Sequence, residues 1–259
     1  MGEVRGLVTL DLVREAETRR QRHQALFAVH ALLDQTITDI YRLNREKLRV
    51  RTTPEEVCAF HFGKATKTLD AIRVLSESGF GQDAAILTRS LVNLVINLWY
   101  IGGDPEERTK DYIASGRKAR RTFLERFPGR PGPLPPLDAD WEEVKERAKK
   151  WGDVNIEMRA KGTPLEDTYH ELYRHGSSLE HSDSWSADQY VGPRDGATFS
   201  INNSPSDDLV GIALGYALQA MIVLMMVMCR AFDITESERL DGLLAEFKAL
   251  KDFKAGSKT

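Results

Sequence analysis

Arg174 and His181 are separated by six residues, and His170 and Ser177 join them at successive offsets of four, three and four. On a helix all four project within a narrow arc. Imidazole exchanges protons near neutral pH, and a fixed guanidinium stabilises an oxyanion or a phosphate. Together these are the parts that metal-free phosphodiester cleavage needs. Arg174 and His181 are therefore the candidate catalytic pair, with His170 and Ser177 as candidate binding residues. The same pattern fits a polar helix face turned to solvent.

A second stripe consists of Arg89, Asn93 and Asn97, which recur every four residues inside the apolar run Ile86 to Trp99. A guanidinium among so much apolar surface must find partners or line a cavity, because an unpaired charge in a dry core is costly. The three are candidate binding residues; the alternative is a buried structural arginine paired with backbone carbonyls or an acid. Two polar stripes converging on one pocket would be hard to explain as separate solvated surfaces.

Other chemistries lack their residues. There is no GxxxxGK[ST], GxSxG, HExxH, DxDxDG or paired CxxC, so phosphate-loop, hydrolase-elbow, zinc-protease and calcium-loop readings fall away. Glu180 and Asp183 flank His181 but point in different directions on a helix, so neither a metal site nor a cofactor is expected. Cys58 and Cys229 lie far apart in apolar contexts, with no disulfide framework, which fits a reducing cytoplasm.

The elements that must carry these stripes are marked by helix-start signals. Thr53-Pro54-Glu55-Glu56, Asp104-Pro105-Glu106-Glu107 and Thr163-Pro164-Leu165-Glu166 each set a capping side chain, a proline of fixed φ and an acid in order. Ser204-Pro205-Ser206-Asp207 and Thr235-Glu236-Ser237-Glu238 are variants of the same pattern. The expected fold is all-α: one domain over 1–259, an up-and-down bundle of seven or eight helices. A long helix is expected over 10–47 and a helical core over 54–127, with Gly79 and Phe80-Gly81 turning helix two into helix three. A proline-rich linker follows at 128–136, then a short polar helix over 140–151. C-terminal helices occupy 164–253, interrupted near 183–203 by an irregular or hairpin segment.

The 36 Lys and Arg against 39 Asp and Glu give a net charge of −3, which excludes a strongly cationic nucleic-acid coat. Arg117, Lys118, Arg120 and Arg121 still form a local basic cluster, either a contact patch or a solvated face. The N-terminus lacks the plan of a signal peptide. Leu209 to Cys229 carries no formal charge over a length that could span a bilayer. Its Gly211, Gly215, Tyr216 and Gln219, without a flanking aromatic belt, read instead as a buried central helix, and the two glycines would let a neighbour approach closely.

The run Thr88-Arg89-Ser90-Leu91-Val92-Asn93 through Ile101, followed by Asp104-Pro105 and Tyr112, resembles a widespread bacterial helical family catalogued only as a domain of unknown function. Its members typically read Arg-Ser-Leu-x-Glu there and carry a later Tyr-x-x-x-Ser-x-x-x-His segment. Tyr173, Ser177 and His181 match that later segment, which adds Tyr173 to the binding residues, while Asn93 stands where glutamate is usual. The resemblance runs from about Leu26 to Phe232. If the glutamate is an acid or base in the family, this chain has lost that role.

The Arg174 to His181 spacing is also similar to the Arg-x(4 to 6)-His motif of HEPN ribonucleases, which are helical dimers. That similarity implies a metal-independent endoribonuclease, toxin or defence protein acting on RNA as a homodimer, with paired copies forming the cleft. The competing expectation is a non-catalytic ligand- or protein-binding module in which Arg89 and Arg174 hold an anionic ligand or an acidic partner. Either way the chain is expected in the cytoplasm and off the membrane.

Overall fold

A computed structural model of the chain describes residues 12–127, 140–181, 205–235 and 237–250, excepting the side chains of 12–13, 174–181 and 237. Among the described residues there are ten helices and no strand: α1 (Leu12–Arg22), α2 (Gln24–Leu43), α3 (Thr53–Glu77), α4 (Gly81–Gly102), α5 (Pro105–Arg126), α6 (Trp141–Asp153), α7 (Ile156–Ala160), α8 (Glu166–His181), α9 (Val210–Ala231) and α10 (Ser237–Ala249). The fold is all-α. The expected proline-rich linker at 128–136 and the expected irregular segment near 183–203 both lie outside the described residues.

The uncharged run near the C-terminus becomes α9, and the other helices pack around it. Sixteen of its residues, from Val210 to Cys229, are buried, so it is apolar on every side because every side meets another helix. Both α4 and α9 are long and apolar enough to cross a membrane by length and composition; in α9, 83% of the apolar window is buried inside the fold. The polar Gln219 is accounted for locally. Its Oε1 accepts from Thr168 Oγ1 at 2.9 Å and its Nε2 donates to the Pro164 carbonyl at 3.3 Å, which ties the start of α8 to the core helix. Small residues bring α4 close on the other side, where Thr88 Oγ1 lies 2.8 Å from the Ala84 carbonyl and 3.1 Å from that of Ala213.

The start signals hold where the chain needs only its own neighbours. Asp104 caps α5, accepting from the Glu107 amide at 3.5 Å, with Pro105 in the first turn. At α3 the cap is Thr52 rather than Thr53. Thr52 Oγ1 accepts from the Glu55 amide at 3.3 Å, and Glu55 Oε2 returns to the Thr52 amide at 3.0 Å. Glu55 completes the reciprocal pair three residues after Thr52, which shifts the box one position earlier. Gly79, at φ +81°, supplies the left-handed residue after α3, and the Phe80 amide donates to the Leu75 carbonyl at 2.8 Å. This closes the α3–α4 hairpin.

Three expected boundaries are corrected, and one helix is added. The run over 10–47 is two helices, which change direction at His23 (φ −108°, ψ 27°) and end at Leu43. Backbone hydrogen bonds still bridge His23, while α1 packs on α3 and α2 on α9 and α10. The helix opened by Pro164 begins at Glu166, because Thr163 Oγ1 donates to the Ala160 carbonyl at 2.7 Å and holds a turn there. The helix expected from Pro205 begins at Val210: Asp207 is taken by Arg19, at 3.1 Å, and by Arg22, so it does not serve as an N-terminal acid. The short α7 was not expected, although Asn155 caps it by accepting from the Met158 amide at 2.9 Å. With α1 and α2 counted apart and the short α7 added, the ten helices among the described residues agree roughly with the expected seven or eight.

Candidate functional site

The α4 stripe faces α8 at one end and α7 at the other. At its first position the Arg89 guanidinium lies 4.9 Å from the centroid of the Tyr173 ring. Tyr173 is 41% exposed, so this end of the seam reaches the surface. Behind it Tyr169, buried at 5% exposure, sits 5.2 Å from Tyr173 ring to ring. Burial is the main cause that pushes the Tyr169 hydroxyl above its ordinary pKa; Arg89 acts in the opposite direction.

One turn along α4, Asn93 Oδ1 is buried and has no hydrogen-bond partner among the described residues. Such an acceptor has given up its hydration without replacement, which costs about 1–3 kcal/mol. One turn further the stripe is satisfied. Asn97 Oδ1 accepts from Arg159 Nη1 at 2.7 Å. Arg159, only 8% exposed, donates through Nη2 to the Trp151 carbonyl and lies 3.7 Å above the Trp151 ring, with Tyr100 at 5.5 Å. Burial lowers its pKa from the ordinary arginine value.

Arg159 is the residue that sequence reasoning missed. The available signal was Asn97 itself, since an amide in an apolar helix needs a donor. The aromatic wall continues from Trp151 to Tyr112 at 5.2 Å and from Tyr112 to His61 at 5.2 Å. His61 is 3% exposed, and its Nδ1 lies 2.7 Å from the Val57 carbonyl, to which it donates as a neutral ring. Burial depresses its pKa.

The candidate residues thus divide. Arg89, Asn93 and Asn97 lie on one α4 stripe, and Tyr173 joins Arg89, so the two segments that carry the family resemblance touch through that pair. His170 is exposed, with its ring 5.4 Å from that of Tyr169. The backbone of α8 runs through Arg174, Ser177 and His181, whose side chains lie outside the described residues. Within α8 the buried side chains of Thr168, Tyr169 and Leu172 mark its core side.

Elsewhere, α1, α2 and α3 border an open cleft of about 550 Å³, whose lining includes Arg20, Phe27, His30, Asp34, Arg73 and Glu77. No residue of either stripe lines it. Its charges are paired among themselves: Glu77 meets Arg20 at 2.9 Å and Arg73 at 3.1 Å, and His30 Nδ1 meets Asp34 at 3.1 Å. Among the described residues no group of three or more His, Cys, Asp or Glu is arranged to hold a metal. Cys58 and Cys229 are buried and not joined in a disulfide, and burial, with a smaller contribution from Cys229, pushes the Cys58 thiol up to about 12.

No curated protein and no solved structure matches the chain. A family model does match, over residues 55–198, a span that takes in α3 to α8 and therefore both sides of the Arg89–Tyr173 seam. That span exceeds half of the chain, and the protein belongs to this family, which is described as a family of unknown function (DUF5677).

Proposed function

We propose that the chain is a non-catalytic binding module that takes an anionic ligand, or an acidic segment of a protein partner, in the seam between α4 and α8. The supporting observation is the Arg89–Tyr173 contact at 4.9 Å beside the buried Asn93 Oδ1, which has no hydrogen-bond partner among the described residues. Guanidinium groups recognise carboxylate and phosphate through paired N–H donors, and an aromatic face orients the cation. The adjacent amide, turned so that Nδ2 faces the seam, donates a further hydrogen bond to a bound anion. A costly orphan acceptor at the surface end of a seam is the kind of feature a ligand explains. The test is thermal unfolding in the presence of inorganic phosphate, AMP or a glutamate-rich peptide. At least one should raise the Tm of the wild type and leave that of Arg89→Ala unchanged. No response to any of the three, or an equal response in both proteins, rejects the reading.

A second reading is a metal-independent endoribonuclease, toxin or defence protein of HEPN-like type, working as a homodimer. It is supported by the α8 backbone, which carries Arg174 and His181 on one helix with the exposed His170, at offsets of four and eleven residues. In this reading His181 takes the proton of a 2′-hydroxyl or protonates the leaving oxygen, and Arg174 stabilises the charged phosphorane. Cleavage of tRNA or mRNA that disappears in an Arg174→Ala, His181→Ala double variant supports it; intact RNA with wild-type protein rejects it. Both readings take the protein to be cytoplasmic, and recovery only in detergent after cell fractionation overturns that.

A further inference from the structure

We infer that the C-terminal half of α5 is a binding surface for single-stranded polynucleotide, independent of the α4–α8 seam. Between residues 117 and 126 the chain sets Arg117, Lys118, Arg120, Arg121 and Arg126 against Glu125 alone, within a protein of net charge −3. Two of these cations are engaged with the α6 side of the hairpin: Arg117 meets Asp140 at 3.5 Å, and Arg121 meets Glu125 at 2.7 Å while lying 4.9 Å from the Trp141 ring. Lys118 and Arg120 are exposed and make no ion pair among the described residues, and exposed Arg126 lies 5.9 Å from the Phe127 ring.

Between the cations stand two aromatics that the fold does not bury. Phe123 and Phe127 are 50% and 46% exposed and touch each other, ring to ring, at 5.1 Å. Helical spacing gives Arg120, Phe123 and Phe127 one outward face, opposite the buried Ala114. The α5–α6 hairpin carries its own small cluster of Ala114, Val144, Ala148 and Trp141, separate from the main core. The exposed phenylalanines therefore lie outside both clusters.

Helix-end electrostatics explain a cation in the last turn, such as Arg126, but not Lys118 and Arg120 further back. An anionic bilayer would meet the charge, yet the apolar side of this half-helix is little more than Phe123, Phe127 and Ala119, too narrow for an interfacial helix. Exposed aromatics interleaved with cations suit unpaired bases, which stack on the rings while phosphates meet the guanidinium and ammonium groups. The shared chemistry covers RNA and single-stranded DNA.

The test is fluorescence anisotropy with labelled oligouridylate and oligothymidylate across a salt series, beside a duplex of equal length and phosphatidylserine vesicles. Wild-type protein should bind at least one single strand, more weakly as salt rises. Arg120→Glu with Arg126→Glu should cost about tenfold and flatten the slope of log K against log salt by about 1.4, at about 0.7 per lost phosphate contact. Phe123→Ala with Phe127→Ala should cost about tenfold with the slope unchanged. All four positions are exposed, so circular dichroism should show unaltered helix content. A preference between the two strands identifies which polynucleotide is bound. No binding by the wild type, unchanged binding by both variants, or tighter binding to duplex or vesicles overturns the inference. The seam is read by the thermal response to phosphate, AMP or peptide and this surface by strand binding, so failure here and failure of the seam reading are separate results.

Discussion

The two ends of the α4 stripe carry the same kinds of residue and come to opposite conditions. At Asn97 the amide meets the buried Arg159, whose guanidinium is sandwiched against Trp151 and bonded to its carbonyl. At Asn93, one turn away, the amide oxygen is buried without a partner among the described residues, and the neighbouring Arg89 rests on a tyrosine that is partly in solvent. A polar group in a helical core is structural when the fold brings its complement and a site candidate when the fold does not. Composition cannot separate the cases, since asparagine stands at both positions.

The largest expected effect comes from breaking the satisfied end. Asn97→Ala leaves a buried cation short of an acceptor and should destabilise the protein by about 3 kcal/mol in urea unfolding. Combining it with Arg159→Met should recover part of that loss, because the unpaired charge is then gone. Strict additivity of the two would show that the pair is not coupled.

The closed end should also respond to acid. His61 titrates near 6.5 when unfolded and lower when folded, because burial disfavours its charged form. The stability it contributes is complete above about pH 6.5 and is lost as pH falls through the folded value, at up to about 1.4 kcal/mol per pH unit. His30 and His23, also lowered by burial, add to the same trend, so the diagnostic is a difference. His61→Phe should reduce the pH slope of unfolding free energy, whereas Arg89→Ala should leave it as in the wild type.

At the open end the sign should reverse. Asn93→Leu removes an unsatisfied acceptor and should raise stability by about 1 kcal/mol, while abolishing any ligand-induced rise in Tm. A loss comparable to that of Asn97→Ala would mean that Asn93 is as well satisfied as Asn97. The smallest effect is that of Arg89→Ala: a cation over a partly exposed ring contributes about 0.5–1 kcal/mol. Its unfolding midpoint should barely move even as binding is lost.

Much of the architecture was legible because it depends on residues near one another in the chain. Asp104 with Pro105, Gly79 after α3, and the uncharged run of α9 each act through neighbours within a turn or two, by capping, by a left-handed φ or by uniform apolarity. The adjacent threonines at the start of α3 mark the limit of such reading. Either can cap, and the reach of Glu55 back to Thr52 decides. The Arg89, Asn93, Asn97 stripe was visible as a period of four, and the family match encloses it.

The all-α class and the existence of a polar stripe inside an apolar helix follow from the sequence by itself, since both are periodicities of a single segment. Whether a member of that stripe is closed or open was decided only by tertiary structure. Arg159 lies 62 residues from Asn97, in a five-residue helix with little sequence signature. Asp207, well placed by sequence to start a helix, is instead taken by Arg19 and Arg22 of α1. Hydrogen bonds and ion pairs act over a few ångströms, and only folding brings such distant segments within that range.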